Sequence, residues 1–246
     1  MSLILNSGFS IGPGVVLNAN PAPPPITPVS AGLLLNLDAS NPASYPGSGT
    51  TWTDTISSIP FTLNNGPTYS SNNGGYLEFV PASGQWAESP VPLTGSSLST
   101  WTVEAWHYFT GDTTGSNPCL LTDTYTSNIN YALGYPFGYP NFQAGFYNGD
   151  WRVTPGGYAL TPNAWYQIVG TYDGDTIKLY VNNTLINQTS YTGTSLSSGV
   201  SIRLMKRWDG EDHWGGRLSI VRIYDTALDL AGVTQNFNAD RARFGL

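Results

Sequence analysis

The sequence predicts an all-β chain, folded as a two-layer antiparallel sandwich and preceded by an extended N-terminal arm. Three observations point there. Short runs with a period of two, rich in β-branched and aromatic residues, recur along the chain. Gly and Pro, 28 and 18 of the 246 residues, separate those runs, as turns between many short strands require. Only 10% of the residues are charged, too few to clothe the outer faces of several long helices.

The chain divides at its prolines. Residues 1–20 hold three apolar bursts, Leu3-Ile4-Leu5, Phe9-Ser10-Ile11 and Val15-Val16-Leu17, and lead into Pro21-Ala22-Pro23-Pro24-Pro25-Ile26-Thr27-Pro28. That second piece is a polyproline spacer, extended and semi-rigid, expected to hold the arm away from a body that begins near Ala31. Residues 1–30 therefore read as an anchoring arm and linker, and residues 31–246 as one domain, a size that all-β sandwiches reach as a single unit. Leu3, Ile4, Leu5, Phe9, Ile11, Val15, Val16 and Leu17 are the candidate anchoring residues, acting by strand addition or apolar burial.

Within the body, residues 32–38, 75–80, 101–109, 165–172, 177–181 and 218–224 read as strands. Asp173-Gly174-Asp175 and Asn182-Asn183 bracket the fifth of these. Asn, Asp and Gly tolerate the positive φ of tight hairpins, so residues 166–186 form a meander of two consecutive hairpins. One helix is expected at residues 228–238, where Leu228, Val233 and Phe237 share a face, short and capping one edge of the sandwich.

Composition excludes several roles. Nine basic against 16 acidic residues give a net charge of −7, which leaves no source of the phosphate neutralisation that drives nucleic-acid binding and speaks against anionic membranes. Cys119 is the one cysteine, so neither an intrachain disulfide nor a C-x-x-C pair is available, and a buried small hydrophobe is expected there. The first residues carry no basic n-region and no run of about 18 apolar residues occurs, so the expectation is a protein made in the host cytoplasm without signal peptide or membrane span.

The strings Ala31-Gly32-Leu33-Leu34-Leu35-Asn36-Leu37-Asp38, Trp52-Thr53-Asp54, Thr102-Val103-Glu104-Ala105-Trp106, Thr171-Tyr172-Asp173-Gly174-Asp175 and Gly216-Arg217-Leu218-Ser219-Ile220-Val221-Arg222-Ile223-Tyr224 stand in order along the body. Together they resemble the laminin-G-like branch of the concanavalin A-like lectin/glucanase superfamily. The resemblance implies a jelly-roll sandwich of two curved sheets, usually a binding or display module, with catalysis confined to some branches. The arm around Gly8-Phe9-Ser10-Ile11 and the segments Asn236-Phe237-Asn238-Ala239 and Arg243-Phe244-Gly245-Leu246 look like versions of this domain found in tailed-phage virion proteins.

Candidate chemistry is sparse. Glycoside hydrolysis needs two carboxylates facing one bond, and Glu104 has no acidic partner two residues on; it reads as a strand acid bonded to neighbouring backbone or hydroxyls. His107 and His213 are the only histidines, no Gly-x-Ser-x-Gly elbow accompanies them, and His107 reads as a packed ring. In Arg207-Trp208-Asp209-Gly210-Glu211-Asp212-His213-Trp214, the acids Asp209, Glu211 and Asp212 are candidate Ca²⁺ ligands, supplying hard oxygens from a Gly-punctuated loop. Trp208, His213 and Trp214 are candidate sugar contacts from the same loop. A second aromatic concentration adds Tyr135, Tyr139, Asp150, Trp151 and Arg152, flat rings for stacking beside planar groups that read hydroxyls.

These readings combine into an expected function: a non-enzymatic virion protein displaying a lectin-like sandwich outward, as a capsid decoration or tail-fibre protein that contacts host-surface glycans. Its partners are other virion proteins, and a homo-oligomer is one assembly open to it. The rival expectation is a purely structural cement protein without sugar affinity, with a glycoside hydrolase third.

Overall fold

A computed structural model describes residues 24–93, 98–124, 128–136, 141–195 and 201–246; the candidate anchoring residues and Tyr139 lie outside the described residues. In chain order the strands are β1 (Leu33–Asp38), β2 (Thr51–Thr53), β3 (Pro60–Asn64), β4 (Thr68–Ser70), β5 (Tyr76–Phe79), β6 (Trp86–Glu88), β7 (Trp101–Thr113) and β8 (Cys119–Asp123). They continue as β9 (Ile129–Gly134), β10 (Gln143–Tyr147), β11 (Trp151–Val153), β12 (Ala164–Tyr172), β13 (Thr176–Val181), β14 (Thr184–Ser190), β15 (Ile202–Leu204) and β16 (Trp214–Tyr224), and the helix α1 (Leu230–Phe244) follows.

Two eight-stranded sheets result. The first runs β14-β13-β12-β7-β16-β5-β4, with β1 beside β5 on the same flank of β16; the second runs β11-β10-β9-β8-β15-β6-β3-β2. Their facing sides share one core, to which Leu35, Val103, Ile168 and Ile223 come from the first sheet and Phe61, Ala87, Leu133 and Leu204 from the second. Neighbouring strands pair antiparallel, as the sandwich expectation required.

All six strands expected from sequence form, and all six belong to the first sheet. The meander forms as β12, β13 and β14. Gly174 (φ 95°), Asn182 (φ 47°) and Asn183 (φ 62°) supply the positive φ its turns require, and the Asp173 carboxylate accepts the N–H groups of Asp175 and Thr176. Trp52 is fully buried, and Asp54 clamps the following turn by accepting from the backbone N–H of Asn36 (2.7 Å), Ile56 (3.1 Å) and Ser57 (2.6 Å).

Helix α1 departs from expectation in length and place. It extends to Phe244 and lies across the outer face of the first sheet rather than at an edge. Asp229 caps its start by accepting from Gly232 N–H, and Gly245 ends it at φ 75°, the left-handed position that glycine takes without strain. Phe237 and Phe244 stack on Trp106 at ring-centroid distances of 5.8 and 4.5 Å, and Val233 packs on Val169 and Tyr180. The end of the linker is bonded to the body: Gln235 Nε2 donates to Thr27 O (2.9 Å), Val29 N–H to Asn236 Oδ1 (2.8 Å) and Tyr224 Oη to Val29 O (3.1 Å). It thus lies along α1, and the chain enters the domain in the helix layer. Among the described residues no helix is long and apolar enough to cross a membrane.

Candidate functional site

The outer face of the second sheet carries no helix among the described residues. Strand alternation decides which side chains it shows. On β6 the buried Ala87 joins the core, so Trp86 and Glu88 point outward; on β3, Phe61 and Leu63 do the same for Thr62 and Asn64, and on β15, Ile202 and Leu204 for Arg203. Register then sets these outward residues side by side. Thr62 pairs with Glu88 and Asn64 with Trp86, Glu88 with Arg203, Arg203 with Thr122 and Thr122 with Ala132.

A groove of about 330 Å³ opens on this face, lined by Thr62, Asn64, Trp86, Glu88, Ser89, Pro90 and Ser201. Glu88 Oε1 accepts from Arg203 Nε at 3.1 Å and from the Ser201 hydroxyl. The half-buried Trp86 ring carries two cations, Lys206 Nζ at 4.1 Å and Arg203 Cζ at 5.3 Å from its centroid. Burial, together with the like charge of Arg203, lowers the Lys206 ammonium below its ordinary value. An aromatic ring beside a carboxylate, an amide and hydroxyls is the combination that grips a polyol, the ring against its C–H side and the polar groups on its hydroxyls.

Sequence reasoning missed this groove because its strands are three to five residues long. The signal was nevertheless present in Trp86-Ala87-Glu88, where period two places an aromatic ring and a carboxylate on one face.

Of the residues expected to bind ligand, Trp151 and Trp208 meet on the far part of this face, and the others do not join them: Arg152 is paired with the core residue Phe146 and so points to the opposite side of β11 from Trp151. Trp151 is half-buried between Tyr147 (5.5 Å) and Trp208 (4.8 Å). Arg152 pairs with the exposed Asp150 at 3.3 Å and stacks over Tyr191 at 4.9 Å. Trp208 is a correction: only 9% exposed, it packs on Cys119, Ile129 and Ala132, plugging the sheet rather than offering a free ring face. Tyr135 and Trp214 are corrections too. Both are fully buried and stack on each other at 4.6 Å inside the core, because β16 turns Trp214 inward. His213 lies half-buried next to Lys206 at the base of the loop, away from Trp151 and Asp150.

The Ca²⁺ expectation also changes. Arg207 takes Asp209 (3.0 Å) and Asp212 (3.4 Å) as its own counterions. Asp212 further accepts the backbone N–H of Asn117 at 2.8 Å. Glu211 stays exposed, and among the described residues no three His, Cys, Asp or Glu side chains converge on a metal position. The acidic loop is a hairpin stapled by an arginine, and it roofs the middle of the outer face.

The remaining candidates are buried in the first sheet or the core. His107 Nε2 accepts from Trp214 Nε1 at 2.7 Å, and its Nδ1–H donates to Arg217 O at 3.0 Å. The indole only donates, so the tautomer is fixed, and burial pushes the ring down to about 3. Glu104 is bonded to side chains rather than to backbone or hydroxyls, accepting from Trp106 Nε1, Gln167 Nε2, Arg222 Nη1 and Asn236 Nδ2. Cys119 is buried beneath Trp208, where desolvation raises its thiol well above the ordinary range.

Comparison with known proteins follows this geometry. The family model described as the concanavalin A-like lectin/glucanases superfamily matches residues 81–234, more than half of the chain. No curated protein matches the chain in sequence. Among solved structures, domain 4 of AbnA, a GH43 extracellular arabinanase from Geobacillus stearothermophilus in complex with arabinotriose, is similar at 17% identity and a TM-score of 0.67. That match covers 84% of this chain and 98% of that one. The Trypanosoma rangeli sialidase in complex with sialic acid matches at 16% identity and 0.61, over 86% of this chain and 33% of that one. A botulinum neurotoxin type C structure, from work tying cell entry to interaction with two ganglioside molecules, matches at 13% and 0.63, over 85% and 51%. At these identities the likeness is one of fold, and the chain spans a third to a half of the two larger proteins.

Proposed function

Since the chain belongs to the concanavalin A-like lectin/glucanases superfamily, we propose that it is a non-enzymatic saccharide-binding display protein, tethered through its N-terminal segment to the virion of a tailed phage as a capsid decoration or tail-fibre component. The observation that carries this reading is the polarity of the domain. The chain enters in the helix layer, where Thr27 and Val29 bond to α1, while the groove around Trp86 and Glu88 opens on the opposite outer face. A tether on one side leaves the groove facing outward. Structures of the same fold solved with arabinotriose and sialic acid support a sugar as the ligand, and many displayed copies turn weak single-site contacts into useful avidity.

The non-enzymatic part rests on the groove's composition. Hydrolysis of a glycosidic bond takes an acid and a second carboxylate; of the lining residues only Glu88 is acidic, and Arg203 and Ser201 already engage it. The phage context rests on the resemblance of the arm and of the closing segments.

The test is calorimetric titration of the full chain with bacterial surface oligosaccharides, alongside assay of purified particles for the protein. Wild type is expected to bind, and Trp86→Ala to bind about tenfold more weakly, equivalent to about 1.4 kcal/mol, with no release of reducing ends. Incorporation into particles without any saccharide binding would replace this reading with that of a cement protein; release of reducing ends would make it an enzyme.

A further inference from the structure

The charges around the groove do not balance, and their imbalance narrows the ligand. Acids outnumber bases by 16 to 9 in this chain, and seven of the nine cations have a carboxylate oxygen within 4.0 Å. Among the described residues the two without one are Arg241, exposed on α1, and Lys206. Lys206 is not a loose surface lysine. It is half-buried, its Nζ sits 4.1 Å from the centroid of the groove's own indole, and Arg203 shares that ring at 5.3 Å.

Glu88 is the one acidic side chain lining the groove, and Arg203 Nε and the Ser201 hydroxyl both bond its Oε1. Two cationic heads therefore crowd one ring; the groove's carboxylate bonds Arg203 directly, and Lys206 feels Glu88 and Glu211 only at longer range. An indole face attracts a cation, but a like charge alongside works against the second one until an anion joins the pair. The flexible four-carbon stem of lysine lets the ammonium follow such an anion.

We propose that the groove takes a saccharide bearing a carboxylate, a sugar of the uronic- or sialic-acid type, with Lys206 receiving the carboxylate while Trp86 packs on the ring and Asn64 and Thr62 read its hydroxyls. This rests on the saccharide-binding reading and makes it specific.

The experiment is calorimetric titration of the full chain with pairs of oligosaccharides matched except for charge: sialyllactose against lactose, and trigalacturonate against its methyl ester. The acidic member of at least one pair is expected to bind about tenfold more tightly at low salt, with the ratio shrinking as salt is added. Lys206→Gln, checked for folding by circular dichroism, is expected to bring that ratio below about threefold. A neutral member binding as tightly as its acidic partner, or a ratio that survives in Lys206→Gln, overturns the inference and leaves the saccharide reading standing. If no member of either pair binds at millimolar concentration, this inference falls, and the saccharide reading falls with it only if bacterial surface oligosaccharides also fail to bind the wild type.

Discussion

Arg222 shows how much a single buried residue organises. Its side chain is almost wholly buried between Asp240 (2.7 Å) and Glu104 (3.4 Å), with Nε on Asn36 Oδ1 at 3.2 Å. Glu104 in turn holds Asn236 of α1 through a 2.6 Å bond, so this polar cluster ties helix to sheet. Removing one partner of a buried ion pair leaves an uncompensated charge, which costs about 3–5 kcal/mol, whereas an exposed pair is worth about 1 kcal/mol or less. Arg222→Met is therefore expected to lose about 3–5 kcal/mol in urea denaturation, and Lys178→Met, which loses only the surface pair with Asp173, about 1 kcal/mol at most. Similar losses for the two variants would show that the buried cluster contributes little. From sequence, Glu104 was legible as structural because it lacked a second acid, but its partners were not: Arg222, Asn236 and Gln167 come from three other elements, and one-dimensional spacing does not report such distant neighbours.

At the level of elements, the difference between the two sheets explains what could be read. Strands β7, β12 and β16 are covered on both sides, by the core and by α1, so they are long and largely apolar or aromatic, with Glu104, Gln167 and Arg222 as buried polar exceptions, close to the pattern of a strand buried on both faces. Strands of the second sheet are shorter and interrupted. Gly145 in β10 is one such interruption: a Cβ there would lie 2.0 Å from Arg152 O, so the close approach of β11 demands glycine and breaks the strand signature. The length of α1 was hidden for a related reason. Its sheet-facing side includes Asn236 and Asp240, buried where an amphipathic helix ordinarily places apolar residues, because they bond Glu104 and Arg222. The last turns are attached by Phe244, stacked on Trp106 and 4.6 Å from Trp165, and by Arg243, which bonds Asp38 and Ser219. Phe244→Ala is expected to cost about 3 kcal/mol, as loss of a buried ring does, and to increase proteolysis in α1 before the β-strands are cut. Unchanged stability would mean that the helix is held by its polar contacts alone.

For the molecule as a whole, acid sensitivity follows from His107. Burial puts its folded-state value at about 3, against an ordinary 6.5. Below pH 6.5 the unfolded chain takes up a proton that the folded chain refuses, so stability is fully present above that pH and falls as the pH drops toward 3. One such proton changes stability by up to about 1.4 kcal/mol per pH unit. Urea midpoints measured between pH 7 and 4 are expected to decline with that slope, and His107→Gln to flatten most of it; an unaltered slope in the variant would assign the acid sensitivity to other groups. His213, whose value is also lowered by burial, contributes to the remainder. The architecture was readable because strand alternation and turn chemistry agree all along the first sheet. The groove was not, because Asn64, Trp86, Glu88 and Arg203 become neighbours only through the register of β3, β6 and β15.

One pairing has a bearing on how the chain is made. The first strand of the domain, Leu33–Asp38, finds its partner in the last, as β1 lies against Val221, Ile223 and Tyr224 of β16. During synthesis the apolar edge Leu33-Leu34-Leu35 therefore emerges long before the residues that cover it exist. Contacts so distant in sequence form slowly, and an unpaired apolar strand is open to wrong partners in the interval. The domain therefore closes only once β16 is available to cover β1.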